Sequence, residues 1–305
     1  MSLHAWILLL SLAFIWGASF YFIEVGLFYL DPFWLVSLRL IAGALALYGW
    51  LWIKNISLPR QFGFWQAVFI MGIINNIIPF SLIAIGQQYV TGGMASILNA
   101  NTAFMGVIMS GLFLTSEPAR WNRILGVMTG VFGVAIAIGL ESLSVGSGLG
   151  PMLWGQIAII LATLSYACAG VWGRLRLTSF PALQGAAGML ICSALLSVVT
   201  SSILSGAPRP DILNSPAALF QIIIGIGVFG TALAYPLYFK ILAIAGSSNL
   251  LLVTIIVPVF ALILDAILLN QFVSRTDMIG FVLVAIGLVI MDGRLLQRLT
   301  RRPVS

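Results

Sequence analysis

Charge is what this chain has least of. Charged residues fill 7% of its 305 positions, where a soluble domain carries about 25%, so the chain cannot coat a water-facing surface. It has one histidine, His4, and two cysteines, Cys168 and Cys192. Both cysteines fall inside apolar runs, where a thiol serves as a small apolar filler, so they suggest neither a disulfide nor a metal site. His4 lies at the edge of the first run, which leaves no histidine proton relay deeper in the chain. No cluster of His, Asp, Glu, Cys or Ser offers assignable catalytic roles; the chain reads as a non-enzyme, with no metal and no cofactor. Long polar connectors are missing too, so there is no room for a soluble domain.

What is present is apolar. Hydrophobic residues make up 61% of the chain, and a helix crosses a hydrocarbon core of about 30 Å with about 20 apolar residues. Ten such runs are legible, at roughly 4–24, 32–53, 64–84, 92–114, 121–139, 152–172, 181–203, 216–239, 247–269 and 276–295. The first lacks a basic leader and ends in Tyr21, Phe22 and Glu24 rather than at small residues, so it reads as a permanent span and not a signal peptide. The fold class expected is an all-α membrane protein with ten transmembrane helices.

The pI near 9.7 would suggest nucleic acid in a soluble protein. Here the basic residues are sorted by side. Lys54, Arg60, Arg120, Arg123, Arg174, Arg176, Lys240, Arg294, Arg298, Arg301 and Arg302 fall in alternate connectors or in the tail. The opposite connectors hold Arg209 and Arg275, with Glu24, Asp31, Glu141, Asp211 and Asp277. Short loops rich in Lys and Arg stay cytoplasmic, so both termini are expected inside. The partners implied are a lipid bilayer and a small-molecule substrate, with no nucleic acid.

The chain repeats itself. Gly126 and Gly133 recur as Gly280 and Gly287, and Gly92-Gly93 as Gly246-Ser247, each 154 residues later; Pro32 recurs as Pro181 at an offset of 149. Five spans per half is an odd number, so the second half is expected upside down relative to the first. The organisation expected is 1–140 for one five-helix repeat, 151–296 for its inverted partner and 297–305 for a basic cytoplasmic tail. Inverted repeats around a midplane site are a recurrent plan of secondary transporters. Gly126, Gly130 and Gly133 share one helix face and permit close helix approach in lipid, either between spans five and ten or between two copies; a monomer or weak dimer is expected.

Polar groups inside spans need partners or a cavity. Span three holds Asn75, Asn76 and Pro79, and span eight holds Thr231, Tyr235 and Pro236. Proline removes a backbone donor and breaks the helical ladder, which points either to a ligand site or to a kink satisfied by neighbouring helices. Spans four and nine offer Ser96, Asn99 and Asn101, and Asn249, Thr254 and Pro258. Ser96 and Asn99 share a face at i, i+3, whereas Asn101 points elsewhere. Trp16, beside Ser19, lies near the midplane, although Trp concentrates at interfaces, and Tyr166 takes the related place in span six. Such rings can cover a flat substrate or an ammonium group. The substrate-binding candidates are therefore Trp16, Ser19, Asn75, Asn76, Pro79, Asn99, Asn101, Tyr166, Thr231 and Tyr235.

Two charges lie within spans. Arg39 sits about 10 Å and Asp265 about 8 Å below the same surface, at 1.5 Å per residue, so they are a candidate intramembrane pair. Arg39 could instead hold a substrate carboxylate by a bidentate contact. Glu24 and Asp265 are the carboxylates nearest the transmembrane path, which leaves proton coupling open.

Three stretches resemble the EamA group of the drug/metabolite transporter superfamily. They are Phe14-Ile15-Trp16-Gly17-Ala18-Ser19-Phe20, Pro32-Phe33-Trp34-Leu35-Val36-Ser37-Leu38-Arg39, and Ala95-Ser96-Ile97-Leu98 through Glu117 followed by the Gly126, Gly130 and Gly133 motif. Within that group they look most like the YddG-type exporters of aromatic amino acids. The resemblance implies ten helices in two repeats, export of small metabolites and a bacterial inner-membrane location. It also implies an acidic residue closing span four, which Glu117 supplies; the second half has Gln271 at the matching place. The function expected is a secondary transporter exporting small amphipathic metabolites, foremost amino acids with aromatic or bulky apolar side chains, by alternating access. The competing reading is a channel or uncoupled facilitator, although no ring of charges marks a constant pore.

Overall fold

A computed structural model describes residues 1–114, 121–139, 150–207 and 210–293. Glu117, Arg120, Glu141, Arg209 and the basic tail lie outside the described residues. Those described form ten long helices: α1 (Leu3–Leu27), α2 (Pro32–Ile53), α3 (Phe62–Gly86), α4 (Gly92–Phe113), α5 (Trp121–Ile138), α6 (Pro151–Arg176), α7 (Ala182–Ser205), α8 (Pro216–Ala245), α9 (Leu252–Leu269) and α10 (Arg275–Asp292). Among the described residues nine of them are long and apolar enough to cross a membrane. The exception is α10, which carries Arg275 and Asp277 in its first turn and Asp292 at its end.

The starts follow from local chemistry. The Asp31 carboxylate accepts the Phe33 and Trp34 amides, and Pro32 opens α2 where its missing N–H costs nothing. Thr91 accepts the Met94 amide at the start of α4, and Ser274 and Asp277 form a reciprocal capping box before α10. Two helices run further than their apolar patterning suggests. α6 extends to Arg176, so Arg174 and Arg176 lie in its last turn, where cations complement the helix dipole. α8 extends to Ala245 and absorbs Lys240.

Three spans contain π-helical turns, at Ile73–Ile77 in α3, Gln221–Leu233 in α8 and Asp265–Leu269 in α9. In α3 and α8 the distortion falls on the N-terminal side of the proline, not at it. A proline leaves the carbonyl four residues earlier without its donor, and here those carbonyls belong to Asn75 and Ala232, both inside the widened turns. α4 breaks at Ala100 and Asn101.

The helices pack in a pattern that maps onto itself when each is exchanged for the one five later. α5 packs on α10 and α2 on α7; α1 packs on α8 and α9, as α6 does on α3 and α4; α3 packs on α7, as α8 does on α2. The α5–α10 contact uses the glycine motif within one chain. A Cβ added at Gly126 would lie 2.6 Å from the Gly287 carbonyl oxygen, and one at Gly133 would lie 2.8 Å from that of Gly280. Gly287→Leu is accordingly expected to cost about 1–3 kcal/mol by overpacking, seen as a lower melting temperature in detergent. Gly49→Leu, at a position with open space around it, should leave the melt unchanged.

Candidate functional site

The widened turn of α3 brings two amides to mid-helix. Asn76 is fully buried and donates from Nδ2 to the Ser193 hydroxyl of α7 at 2.8 Å; Ser193 in turn donates to the Met189 carbonyl. Asn75 Nδ2 donates to Asn76 Oδ1 at 3.1 Å and reaches the Tyr235 hydroxyl at 3.4 Å and Met189 Sδ at 3.6 Å. Tyr235, one turn beyond Thr231 on α8, donates to Asn76 Oδ1 at 3.4 Å. The two distorted helices thus meet through polar side chains at the level where each ladder is broken. Ser165 of α6 adds a hydroxyl donated to the Ile74 carbonyl, within the widened turn, at 2.6 Å.

Beside this cluster lies Arg39. It is 7% exposed, and its Nε donates to Thr231 Oγ1 at 3.0 Å. Thr231 passes its own proton to the Ile226 carbonyl, five residues earlier, as the π geometry of α8 allows. The guanidinium carbon sits 3.6 Å from the centre of the Phe80 ring, a cation–π contact, and the Phe80 ring meets Tyr166 at 6.4 Å. Tyr166 and Tyr235 both lie within electrostatic reach of the guanidinium. Among the described residues no carboxylate pairs with it, and Thr231 is its one hydrogen-bonding side chain. A guanidinium presents five N–H donors, so its terminal nitrogens remain available to an anion.

An aromatic chain continues towards α1. Tyr235 stacks on Phe239 at 6.4 Å, Phe239 meets Tyr238 edge-on at 5.5 Å, and Tyr238 approaches Trp16 at 6.1 Å. The arrangement is a buried cation on an aromatic wall beside a pair of amides. It suits an anionic group joined to an apolar or flat body.

The structure therefore brings together Asn75, Asn76, Tyr235, Thr231, Arg39 and Tyr166, with Trp16 at the far end of the aromatic chain. Pro79 is buried and acts through the break it imposes on α3. Three candidates lie elsewhere. Ser19 donates to its own helix at the Ile15 carbonyl and packs where a Cβ on Gly230 would fall, so it belongs to the α1–α8 seam. Asn101 donates to Thr163 of α6 at 3.3 Å, joining α4 to α6 at the α4 break, and Asn99 flanks the same break. The Arg39–Asp265 pair does not form: Asp265 accepts the Gly93 amide at the start of α4. Depth alone suggested the pair, but α2 and α9 present the two side chains to different neighbours.

Phe80, Met189, Ser193, Tyr238 and Phe239 join the site without having been singled out in the sequence. Ser193, Ser197 and Ser201 are all buried at a spacing of four, a polar stripe whose period marks an inward face. Tyr238 and Phe239 lie three and four residues beyond Tyr235, on its face of the helix. A shallow hollow lined by Gly63, Gln66, Ala67, Trp172, Arg176 and Phe180 lies at the helix ends. Arg176 rests there over Trp172 at 5.4 Å; the hollow has no share in the mid-helix cluster. Among the described residues no group of three His, Cys, Asp or Glu side chains is placed to hold a metal ion.

The model of the EamA-like transporter family matches residues 4–139 and again 153–291. The uncharacterized transporter YoaV of Bacillus subtilis (strain 168) is 23% identical over 280 residues, covering 92% of this chain and 94% of that one. A probable amino-acid metabolite efflux pump of Escherichia coli (strain K12) is 24% identical over 300 residues, 93% of each chain. Protein PecM of Dickeya dadantii (strain 3937) is 25% identical over 287 residues, 91% of this chain and 89% of that one. A solved crystal structure superposes with a TM-score of 0.70 at 17% identity, over 99% of this chain and all of that one; it shares the all-helical fold. The apolar helices and these relatives make the protein a multi-pass membrane protein, and with its two matching halves the chain belongs to the EamA-like transporter family.

Proposed function

We propose that this protein exports small amphipathic metabolites, foremost amino acids with aromatic or bulky apolar side chains, by alternating access around the mid-helix cluster. The observation that carries the reading is Arg39: a buried cation on Phe80 with no carboxylate partner among the described residues. A substrate carboxylate would satisfy its terminal nitrogens bidentately. Asn75 and Asn76 would take the remaining polar groups, and Tyr166, Tyr235 and Trp16 would line the apolar body. The E. coli relative named for amino-acid metabolite efflux supports the substrate class, and the YddG-type resemblance narrows it to aromatic side chains.

Two inverted repeats, 1–140 and 151–296, fit the self-mapping helix contacts and the double family match. The charge sorting favours cytoplasmic termini in a bacterial inner membrane. The spending of the glycine motif on the α5–α10 contact leaves a monomer or weak dimer as the working unit.

Counterflow in proteoliposomes tests this reading. Saturable exchange of aromatic amino acids is expected, inhibited by the free acids but not by their methyl esters, which lack the anion. Equal inhibition by the esters would remove Arg39 from the carboxylate role. Uptake that never saturates would favour the channel or uncoupled facilitator. Trp16→Ala, at the end of the aromatic chain, is expected to weaken exchange only about two- to tenfold, the scale of one aromatic contact.

A further inference from the structure

The end of the bundle where α1 finishes is held by two carboxylates. Glu24 of α1 accepts the Gly92 amide at 2.8 Å on Oε2 and the Gln271 side-chain amide at 2.6 Å on Oε1. Asp265, in the π turn of α9, accepts the next amide, Gly93, on Oδ2. These N–H groups open α4 and have no partner within that helix. The first part of α4 packs on α1 and α9 as well as on α6, and the two carboxylates tie its first turn to α1 and α9.

Their surroundings differ. Both oxygens of Glu24 are bonded. Asp265 is 3% exposed, and its Oδ1 has no donor; it points at Gly92, where an added Cβ would lie 3.2 Å away. Gln87, 5% exposed, spends its amide N–H on the Phe20 carbonyl at 2.9 Å and leaves its own Oε1 without a donor. An ionised carboxylate is acceptor-only and needs donors on both oxygens when buried. Of the groups packed around Asp265, α4 contributes Gly92 and Gly93. Asp277 of α10 is turned into its own capping box with Ser274. Among the described residues Glu24 is the one charged group within electrostatic reach of Asp265, and it carries the same sign.

Among the described residues the opposite end shows no matching pair of carboxylates. At the 154-residue offset Asp265 corresponds to Gly111, and at the 149-residue offset Glu24 corresponds to Gly173. A Cβ at Gly111 would meet nothing within 4 Å.

We infer that Asp265 is a proton-binding site that closes this end: with the proton on Oδ1 the end is shut, and its loss releases α4 from α1 and α9. With the proton bound, Asp265 carries no charge and the α4 amides hold both groups. On its loss a second negative charge stands buried beside the first, and water at an opened end relieves both. The proton comes from and returns to the solvent at that end, and no other bond is made or broken. The inference rests on the transporter reading, since it supplies that cycle with a gate.

The test is a distance measurement on the full chain in lipid nanodiscs. Spin labels go at Phe28→Cys, beyond α1, and Tyr89→Cys, before α4, in a Cys168→Ser, Cys192→Ser background. Between about pH 5 and about pH 9 the ratio of long to short distances is expected to rise by about tenfold or more, since one linked proton allows up to tenfold per pH unit. Asp265→Asn, which keeps the shape without the charge, should hold the short distance throughout. A wild-type distribution indifferent to pH would overturn the inference even where the variant fails to fold, and so would a full pH response surviving in Asp265→Asn. Counterflow on the same preparations separates the two proposals. Distances that follow pH without amino-acid exchange would sink the substrate reading and leave the proton site standing. Normal exchange with distances indifferent to pH would do the reverse.

Discussion

Arg39→Gln is expected to lower the exchange of aromatic amino acids by about a hundredfold or more while leaving the protein as stable as the wild type. Hydrogen bonds to charged groups are worth about 1.5–3 kcal/mol each, and a bidentate carboxylate would lose two, so the effect on binding exceeds two factors of ten. Stability moves differently. The guanidinium is buried and gains one hydrogen bond to Thr231 and one ring contact with Phe80, against a desolvation cost of several kcal/mol for a buried ion. Removing it relieves a cost as much as it loses a contact, and the glutamine amide can still reach Thr231. Arg39→Lys keeps the charge but loses the planar fork and the stacking, and should fall between. Counterflow read beside a thermal melt distinguishes these outcomes. A glutamine variant that exchanges normally would remove Arg39 from the site, and one that melts far below the wild type would make it a structural residue.

Asn76→Leu should do the opposite and damage the fold first. Asn76 is the node at which α3, α7 and α8 meet: it donates to Ser193 and receives from Asn75 and Tyr235. Leucine fills a similar volume but removes three hydrogen bonds, leaving Ser193 its bond to Met189 and Asn75 its contact with Tyr235. Each lost bond costs about 1–3 kcal/mol in a water-excluded interior, nearer 0.6 kcal/mol where the unfolded chain in the membrane finds other partners. A loss of about 2–4 kcal/mol is expected, read as a lower melting temperature and reduced recovery from detergent. Ser193→Ala removes one bond of the node and should cost about 1 kcal/mol. The ratio between the two variants carries the argument: if Ser193→Ala equals Asn76→Leu, the network is a single pair and not a node.

Much of the architecture is legible in the sequence because lipid leaves few choices. A backbone in hydrocarbon must satisfy its own hydrogen bonds, so apolar runs of the right length become helices. The helix boundaries agree most closely where a cap announces them, as at Asp31–Pro32. They drift where the chain stays helical past its apolar stretch, as at Arg174 and Lys240. The proline positions foretold distortion in α3 and α8, but the π turns lie one turn earlier, where the orphaned carbonyls are.

Partnership is harder to read. Asn75, Asn76, Thr231, Tyr235, Arg39 and Tyr166 stand out as polar or aromatic residues at mid-depth, and depth is a one-dimensional quantity that residue counting supplies. Counting residues gives Arg39 and Asp265 similar expected depths, which makes them a candidate pair. The rotation of each helix about its axis separates them, giving Thr231 and Phe80 to one and the start of α4 to the other. Ser19 and Asn101 stand out equally well by polarity, yet each turns into a helix seam.

The amino-acid sequence by itself determined the solvent, the number of long helices among the described residues and the place of each polar group along its helix, because these follow from local composition and a fixed rise per residue. Only the tertiary structure decided which polar groups meet and which charge stands without a partner. Those outcomes depend on helix rotation and on contacts between residues more than a hundred positions apart, as between Asn76 and Ser193 or Gly93 and Asp265, and neither leaves a periodic trace along the chain.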